Sequence, residues 1–516
     1  MKDNYFDLSR ASDLKKPEER FLYRCLEILP GFLSWGTIIA AFILSWKATF
    51  VVAIFIIAFD FFWLLRISYL SFHQLSGYKK MKKNLQTDWM EKLKELSLKN
   101  PEKNWKDIFH LIILPLYKEG TDTVGPTIQS IKDSDYPKDK MIVVLAVEDR
   151  AGASAQKVAQ EIEKEFGKYF FRFLITTHPS DTAGEVIGKG SNVAWAVEKT
   201  KEIIIDKLSI PYEKIIFSNF DIDTRPYSKY FSCLTWYYLT AEKPLRSSFQ
   251  PIPVYNNNIW EAPAFSRLIA TSGTFWQMMQ QERQEQLVSY SSHAMSFRAL
   301  EEVGYPSNVS SDDSRIFWRA FLFYDGDYRT IPLYYPVSMD AVMAGSFWRT
   351  ALNQYRQQRR WAWGSENIPY IIYNFLKNKK ILLTEKINHS LVLLDGFWSW
   401  ATSALLIFFL GWLPLSLGDK SFQTTLMSYN LPRLTSNIMT IAMIGMIISA
   451  ITSMSLLPPR PEKFDKRKNL YMILQWFLLP ITLIIFGAFP ALDAQMRLML
   501  GKHLGFWVTE KVGKKT

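Results

Sequence analysis

Cysteine and histidine are scarce in this chain, with two Cys and six His in 516 residues. Cys25 and Cys233 lie too far apart in sequence for a spaced metal motif, and neither sits in a nucleophile signature. Zinc-cluster and thiol chemistry are therefore excluded as organising themes, and a reduced, cytoplasmic catalytic region is expected. A complete P-loop is also lacking. Gly188-Lys189-Gly190-Ser191-Asn192 has the glycines of a phosphate cradle, without the full spacing or the Lys-Ser/Thr ending. The polar, charged residues before the first apolar run do not form a cleavable secretory signal, so that run is expected to be a retained anchor. Finally, no basic stripe with interleaved aromatics occurs in the middle of the chain. The net charge of +12 therefore does not point to nucleic acid.

Apolar residues are plentiful, at 48%, and they are unevenly placed. Long runs at Leu29 to Trp46, Thr49 to Leu70, Leu391 to Leu413, Ile438 to Leu457 and Leu470 to Ala491 can each cross about 30 Å of hydrocarbon as a helix. Lysines and arginines cluster beside them, at Lys79, Lys80, Lys82, Lys83, Lys463, Lys466, Arg467 and Lys468, which suits cytoplasmic loops facing anionic lipid. Pro480 and Pro490 allow the last run to be broken or re-entrant, so four to six spans are expected. Asp60 inside the second run must face protein or water. Trp89 to Leu96 has apolar residues at helical spacing and is expected to lie on the membrane surface, with packing on a soluble domain as the alternative. The aromatic stretch Ile368 to Leu376 suits an interfacial helix.

Between these ends, strand-length apolar runs alternate with helical segments: His110 to Pro115, Met141 to Val147, Tyr169 to Thr176 and Ile215 to Phe220. That pattern predicts an α/β domain with a mostly parallel sheet, whose ligands bind at the carboxyl ends of the strands. The polar clusters fall at those ends. Asp221 and Asp223 follow a buried strand and can offer hard oxygen ligands to Mg²⁺ or Mn²⁺, although an Asp-x-Asp alone is common in loops. Glu148 and Asp149 end another strand, where an acid can hold a base or ribose and where a capping turn is the plain alternative. Lys189 and Asn192 belong to the glycine-flanked anion site. Ser311-Asp312-Asp313 precedes an apolar helix, so Ser311 or Asp312 can cap it while Asp313 serves as a general base. Gln357, Arg360 and Trp361 sit in a basic aromatic stretch that can neutralise a diphosphate and stack on a sugar, or anchor the chain at a membrane.

Taken in this order, the clusters resemble the processive membrane glycosyltransferases of family 2: cellulose, chitin and hyaluronan synthases and plant mannan synthases. The resemblance covers Leu111 to Gly364 and, more loosely, the flanking spans. Asp221-Ile-Asp223 is similar to the family's D-x-D motif, Ser311-Asp312-Asp313 to T-E-D, and Gln357-Gln358-Arg359-Arg360-Trp361 to Q-x-x-R-W. Lys189-Gly190-Ser191-Asn192 resembles K-A-G-N, and Phe506, Val508 and Thr509 resemble the F-x-V-T gating tail, which favours an even number of crossings.

The resemblance implies a GT-A-type domain at 109–365, between a transmembrane hairpin (1–75) with a connector (76–108) and a C-terminal membrane region (366–500) with a gating tail (501–516). It implies inverting, metal-dependent transfer from a UDP- or GDP-sugar to a growing glycan, with translocation through the spans. One-step transfer to a lipid or other single acceptor is the alternative. By the same resemblance, Glu148 and Asp149 bind the nucleoside, Lys189, Asn192 and Asp221 the diphosphate, and Asp221 and Asp223 the metal. Asp313 is the base, and Asp312, Gln357, Arg360 and Trp361 hold the diphosphate and acceptor. The chain departs from the family at Ser291 to Arg298, where His293 can narrow the acceptor site. A transporter or scaffold with structural acid pairs is the competing class, and it predicts neither nucleotide-sugar turnover nor metal dependence.

Overall fold

A computed structural model describes residues 4–505. Eight strands form one mixed sheet: β1 (Phe109–Leu116), β2 (Met141–Glu148), β3 (Arg172–His178), β4 (Ile215–Asn219), β5 (Arg225–Pro226), β6 (Ser247–Val254), β7 (Ala294–Ser296) and β8 (Arg329–Ser338). Their spatial order is β3-β2-β1-β4-β7-β6-β8-β5. The first four run parallel, with Leu111 beside Ile142 and Phe217. β7 runs against both β4 and β6 and breaks the parallel series.

The central strands read as unbroken apolar runs because helices cover both faces of the sheet. Alternate residues go to opposite layers: Leu111, Ile113, Ile142 and Val144 to one core cluster, Ile112, Leu114, Val143 and Leu145 to the other. Every residue of β2 is buried. The fold is α/β, as the alternating pattern predicts.

Two helices lie elsewhere than expected. Trp89–Lys99 packs on the domain and not along a bilayer: Trp89 and Leu93 are buried, with the Trp89 ring 5.3 Å from Trp236. Leu98, near its end, stays exposed. Asn367–Lys377 likewise buries Ile368, Tyr370, Ile371 and Tyr373 in the core, so its aromatics hold protein and not lipid. The helix Thr49–Gln86 continues far beyond Leu70, and its polar last turns reach the sheet, where Asn84 Nδ2 donates to the Leu333 carbonyl at 2.9 Å.

Among the described residues, five helical segments are long and apolar enough to cross a membrane: Pro17–Lys47, Thr49–Gln86, Leu383–Phe408, Leu426–Ser455 and Arg467–Met499. Asp60 is buried among them. The last segment changes from α to 3₁₀ at Gln475–Leu478 and to π at Ile484–Ala488, next to Pro480 and Pro490. It touches the sheet-bearing region at several points and also packs on Pro17–Lys47 and Leu383–Phe408, where Gln495 accepts the Ser34 hydroxyl at 2.6 Å and donates to the Phe397 carbonyl at 2.8 Å. Lys463 pairs with Glu261 at 3.0 Å just before it, and Arg267 donates to Gln475 at 2.6 Å. Phe486 stacks on Phe265 at 4.8 Å, and Arg359 donates to Asp493 at 2.8 Å.

Candidate active site

Because β1, β2 and β4 are parallel, their carboxyl ends share one rim. Tyr117 and Glu119 follow β1, Glu148 and Asp149 end β2, and Asp221 and Asp223 follow β4. The Glu119 carboxylate accepts the Tyr117 and Lys118 amides at 3.0 and 3.1 Å, which fixes the turn. Arg150 bonds to Glu148 and lays its guanidinium 4.6 Å over the Tyr117 ring. Asp149 is exposed and accepts a bond from Ser180 at 2.8 Å. Glu148 thus spends its charge on Arg150, leaving Asp149 toward solvent and Tyr117 covered by Arg150 and Lys118.

Lys189 starts the helix Lys189–Thr200 and is the hinge of the site. Its ammonium donates to Asp221 Oδ1 at 2.7 Å and to Asp313 at 2.9 and 3.1 Å. Burial opposes the charge, but Asp221, Asp313 and Asp312 together hold the ammonium well above its ordinary pKa. Asn192 faces inward, donating to the Ala146 carbonyl at 2.6 Å, so it ties this helix to β2 and does not face a donor. Gly188 has φ 153°, a region that favours glycine. At Gly190 a Cβ would lie 2.8 Å from the Pro306 carbonyl and 3.0 Å from Asp312 Cβ. Gly190→Ala should therefore lower stability by about 1–3 kcal/mol and cut activity by moving Lys189, checked by thermal melting alongside turnover.

The acid pair opens the helix Asp312–Phe323. Ser311 occupies the N-cap position but does not cap: its hydroxyl donates to Glu366 at 2.6 Å, and its amide donates to the same carboxylate at 3.1 Å. Glu366 also accepts the Trp363 indole N–H at 2.8 Å. A buried carboxylate thereby locks the acid pair to the segment carrying Gln357, Arg360 and Trp361. Asp312 is 2% exposed and accepts the Tyr305 hydroxyl at 2.9 Å. Burial, then the Asp313 charge, push its carboxyl up to about 7. Asp313 is 22% exposed and accepts Asn219 Nδ2 at 3.1 Å besides Lys189. Of the two acids, Asp313 is the one an acceptor can reach.

His293 lies beneath the acceptor loop and not in its opening. Its ring is fully buried beside Phe217, with Nδ1 3.0 Å from the Tyr290 carbonyl and 3.8 Å from Asp313. Burial lowers its pKa and keeps it neutral. The loop residue that meets the acids is Ser291, donating to Asp221 Oδ2 at 2.7 Å. Gln250 on β6 holds this loop through Tyr290 N and the Ser291 carbonyl. Asp223 is 1% exposed and accepts the Asp340 amide at 3.0 Å.

Gln357, Arg360 and Trp361 lie on the helix Phe347–Ala362. They meet the acids through Tyr255, whose ring is 6.4 Å from Trp361. Burial, then Asp221 and Asp223, raise the Tyr255 hydroxyl, and Arg360 opposes them. A cavity of about 10 Å³ lies between Tyr255, Asp340, Gln354, Gln357 and Trp361, room for one water-sized group. Phe506, Val508 and Thr509 lie outside the described residues.

Sequence reasoning missed Tyr117, Asn219, Tyr255, Ser291, Tyr305 and Glu366. Tyr117 had a signal, since it follows a strand on the same rim. The others are single polar residues with no motif spacing, brought together only by packing.

No family model and no curated protein matches the chain. Among solved structures it is similar to the mannosyltransferase PcManGT from Pyrobaculum calidifontis, in complex with GDP-Man and Mn²⁺: 14% identity, 87% of this chain and 100% of that chain covered, TM-score 0.40. It is also similar to residues 1–349 of S. aureus TarS with UDP, at 10% identity over 69% of this chain and 94% of that one, TM-score 0.37. The same fragment with UDP-GlcNAc gives 13% identity, coverages of 69% and 95%, and TM-score 0.35. At such low similarity, function rests on the residues described above.

Proposed function

We propose that this chain transfers a sugar from a nucleoside-diphosphate sugar to a hydroxyl acceptor at a membrane, with inversion and with dependence on a divalent metal. The observation that carries this reading is the Lys189 ammonium held between Asp221 and Asp313, which joins the donor end of β4 to the acid beside the acceptor loop. Asp149 receives the nucleoside. Lys189 and Arg360 neutralise the diphosphate, and Gln357 and Trp361 hold the acceptor. The acceptor oxygen bonds to the anomeric carbon as the bond from that carbon to the β-phosphate oxygen breaks. The acceptor proton passes to Asp313, and the nucleoside diphosphate leaves.

Asp221 and Asp223 fit a Mg²⁺ or Mn²⁺ ion, being paired hard oxygen donors on the rim. Among the described residues there is no cluster of three ligating side chains, so diphosphate and water would complete the shell. When bound, the ion supplies positive charge for the departing diphosphate.

The basic residues beside the spans support a cytoplasmic site. The family resemblance favours a growing glycan as acceptor. One observation favours the single lipid acceptor: Trp398 donates to Thr37 at 3.0 Å and meets Phe59 edge-on, so this ring packs helices together and does not line a sugar path.

UDP- and GDP-sugars offered with Mg²⁺ or Mn²⁺ to membranes containing the protein test the reading. Turnover should stop with EDTA and return with either metal. Turnover unaffected by EDTA would remove the metal from the proposal, and failure of every donor would favour the scaffold class.

A further inference from the structure

The helix Ala264–Gln281 presents one face along the candidate site. Near its start, Ile269 and Ala270 line the small cavity together with Tyr255, Gln357 and Trp361. Residues three, four and seven apart share a helix face, so that face continues through Gly273, Trp276, Gln277 and Gln280. A Cβ at Gly273 would stand 3.6 Å from the Tyr255 ring. One turn further, the Trp276 ring meets Tyr290 edge-on at 5.1 Å. Tyr290 precedes Ser291, the loop residue that donates to Asp221 at 2.7 Å. The face therefore adjoins the site twice, at the Tyr255 ring and at the loop that meets the acids.

Trp276 turns away from the hydrophobic side of its helix. Phe275 and Met278 are buried in a core cluster with Trp476, whereas Trp276 is 43% exposed. Gln277 and Gln280, on the Trp276 side, are each 7% exposed, and their amide oxygens have no hydrogen-bond partner among the described residues. A buried acceptor left unpaired costs free energy, and a hydroxyl donated by a ligand removes that cost. An open aromatic ring beside unpaired amide oxygens suits a sugar ring, whose C–H face stacks on the indole while its hydroxyls donate to the amides. Hydrocarbon would cover the indole and leave the amides unpaired.

Resting on the transferase reading above, we propose that the acceptor is a saccharide of two or more units, and that Trp276, Gln277 and Gln280 hold the unit behind the reacting one. Gln357 and Trp361 hold the reacting unit. Gly273 keeps the way between the two positions open, since a side chain there would stand against Tyr255. A free glycan and the sugar head of a glycolipid present the same chemistry to this subsite.

Cello-, chito- and manno-oligosaccharides of one to four units are the probe, free and as octyl glycosides. They are offered to the protein in nanodiscs with the donor found active in membranes. KM should fall about tenfold from the one-unit to the two-unit acceptor, as a second ring gains the indole, and change little with further units. Trp276→Ala should abolish most of that fall, and Trp276→Phe, which keeps a ring, should restore part of it. Gln280→Leu, which removes the amide at similar volume, should raise the two-unit KM about fivefold. Melting midpoints verify that the variants fold. In the unaltered protein without donor, saturation-transfer NMR should detect contact at the second unit, which Trp276→Ala removes. Transfer to free sugars assigns a soluble glycan, and transfer to the octyl glycosides alone assigns a glycolipid head; either supports the subsite. A KM independent of the number of units, or a Trp276→Ala effect equal on one and two units, overturns it while metal-dependent release of nucleoside diphosphate continues. Weaker vesicle binding by Trp276→Ala with unaltered acceptor kinetics gives the ring to the bilayer instead. Absence of nucleoside diphosphate release with any acceptor or with water defeats the transferase reading itself.

Discussion

Asp313→Asn should reduce transfer by about 10³-fold, within the range of general-base removal, and leave donor affinity nearly unchanged. The amide oxygen can still accept from Lys189 and Asn219, which bond to the carboxylate at 2.9 and 3.1 Å, so the donor side keeps its shape. What disappears is the capacity to take a proton. Product formation gives the first quantity, and calorimetric titration of the donor with metal gives the second. Asp312→Asn is the comparison. Its carboxyl, pushed up to about 7 by burial and bonded by Tyr305, is closed off from an acceptor, so its loss should be far milder. If Asp313→Asn weakens donor binding as much as it slows transfer, Asp313 belongs to the donor site. If Asp312→Asn proves the more damaging, the two acids exchange roles.

Lys189→Ala should have the largest effect on stability in the site. The lysine is 7% exposed and answers Asp221, Asp313 and the charge of Asp312 together. Its removal leaves several carboxylates facing one another in a poorly solvated place, a loss of about 3 kcal/mol as well as of activity. Thermal melting should show a markedly lower midpoint than the unaltered protein. Adding Asp221→Asn should recover part of it, because one uncompensated charge is then gone. Mn²⁺ should raise the midpoint of Lys189→Ala more than that of the unaltered protein, as a second cation entering the acid cluster. A midpoint insensitive to Lys189→Ala would mean that solvent already screens these acids.

The sequence by itself determined the α/β class, because strands buried on both faces must be continuous apolar runs, and Met141 to Val147 and Ile215 to Phe220 are such runs. It also determined which ends matter. Asp221, Asp223, Glu148 and Asp149 follow those strands, and parallel pairing puts their ends on one rim. The membrane segments were legible for the same reason, since length and apolarity are local properties.

Only the tertiary structure decided what each polar residue spends its hydrogen bonds on. Ser311 looked like a cap from its neighbours, yet Glu366, 55 positions away, takes its hydroxyl. His293 looked like an acceptor-site residue, yet its ring lies under the loop and Ser291 faces Asp221. The aromatic stretch at Ile368 and the amphipathic one at Trp89 looked ready for a bilayer. An apolar face is indifferent to whether lipid or protein covers it, and here protein does. The last apolar segment shows the same limit: its composition permits a crossing, and its contacts go both to the domain, at Arg267, Phe265 and Arg359, and to the apolar helices, at Ser34 and Phe397. Local pattern fixes what a segment can bury. Which surface it buries against depends on partners hundreds of residues away.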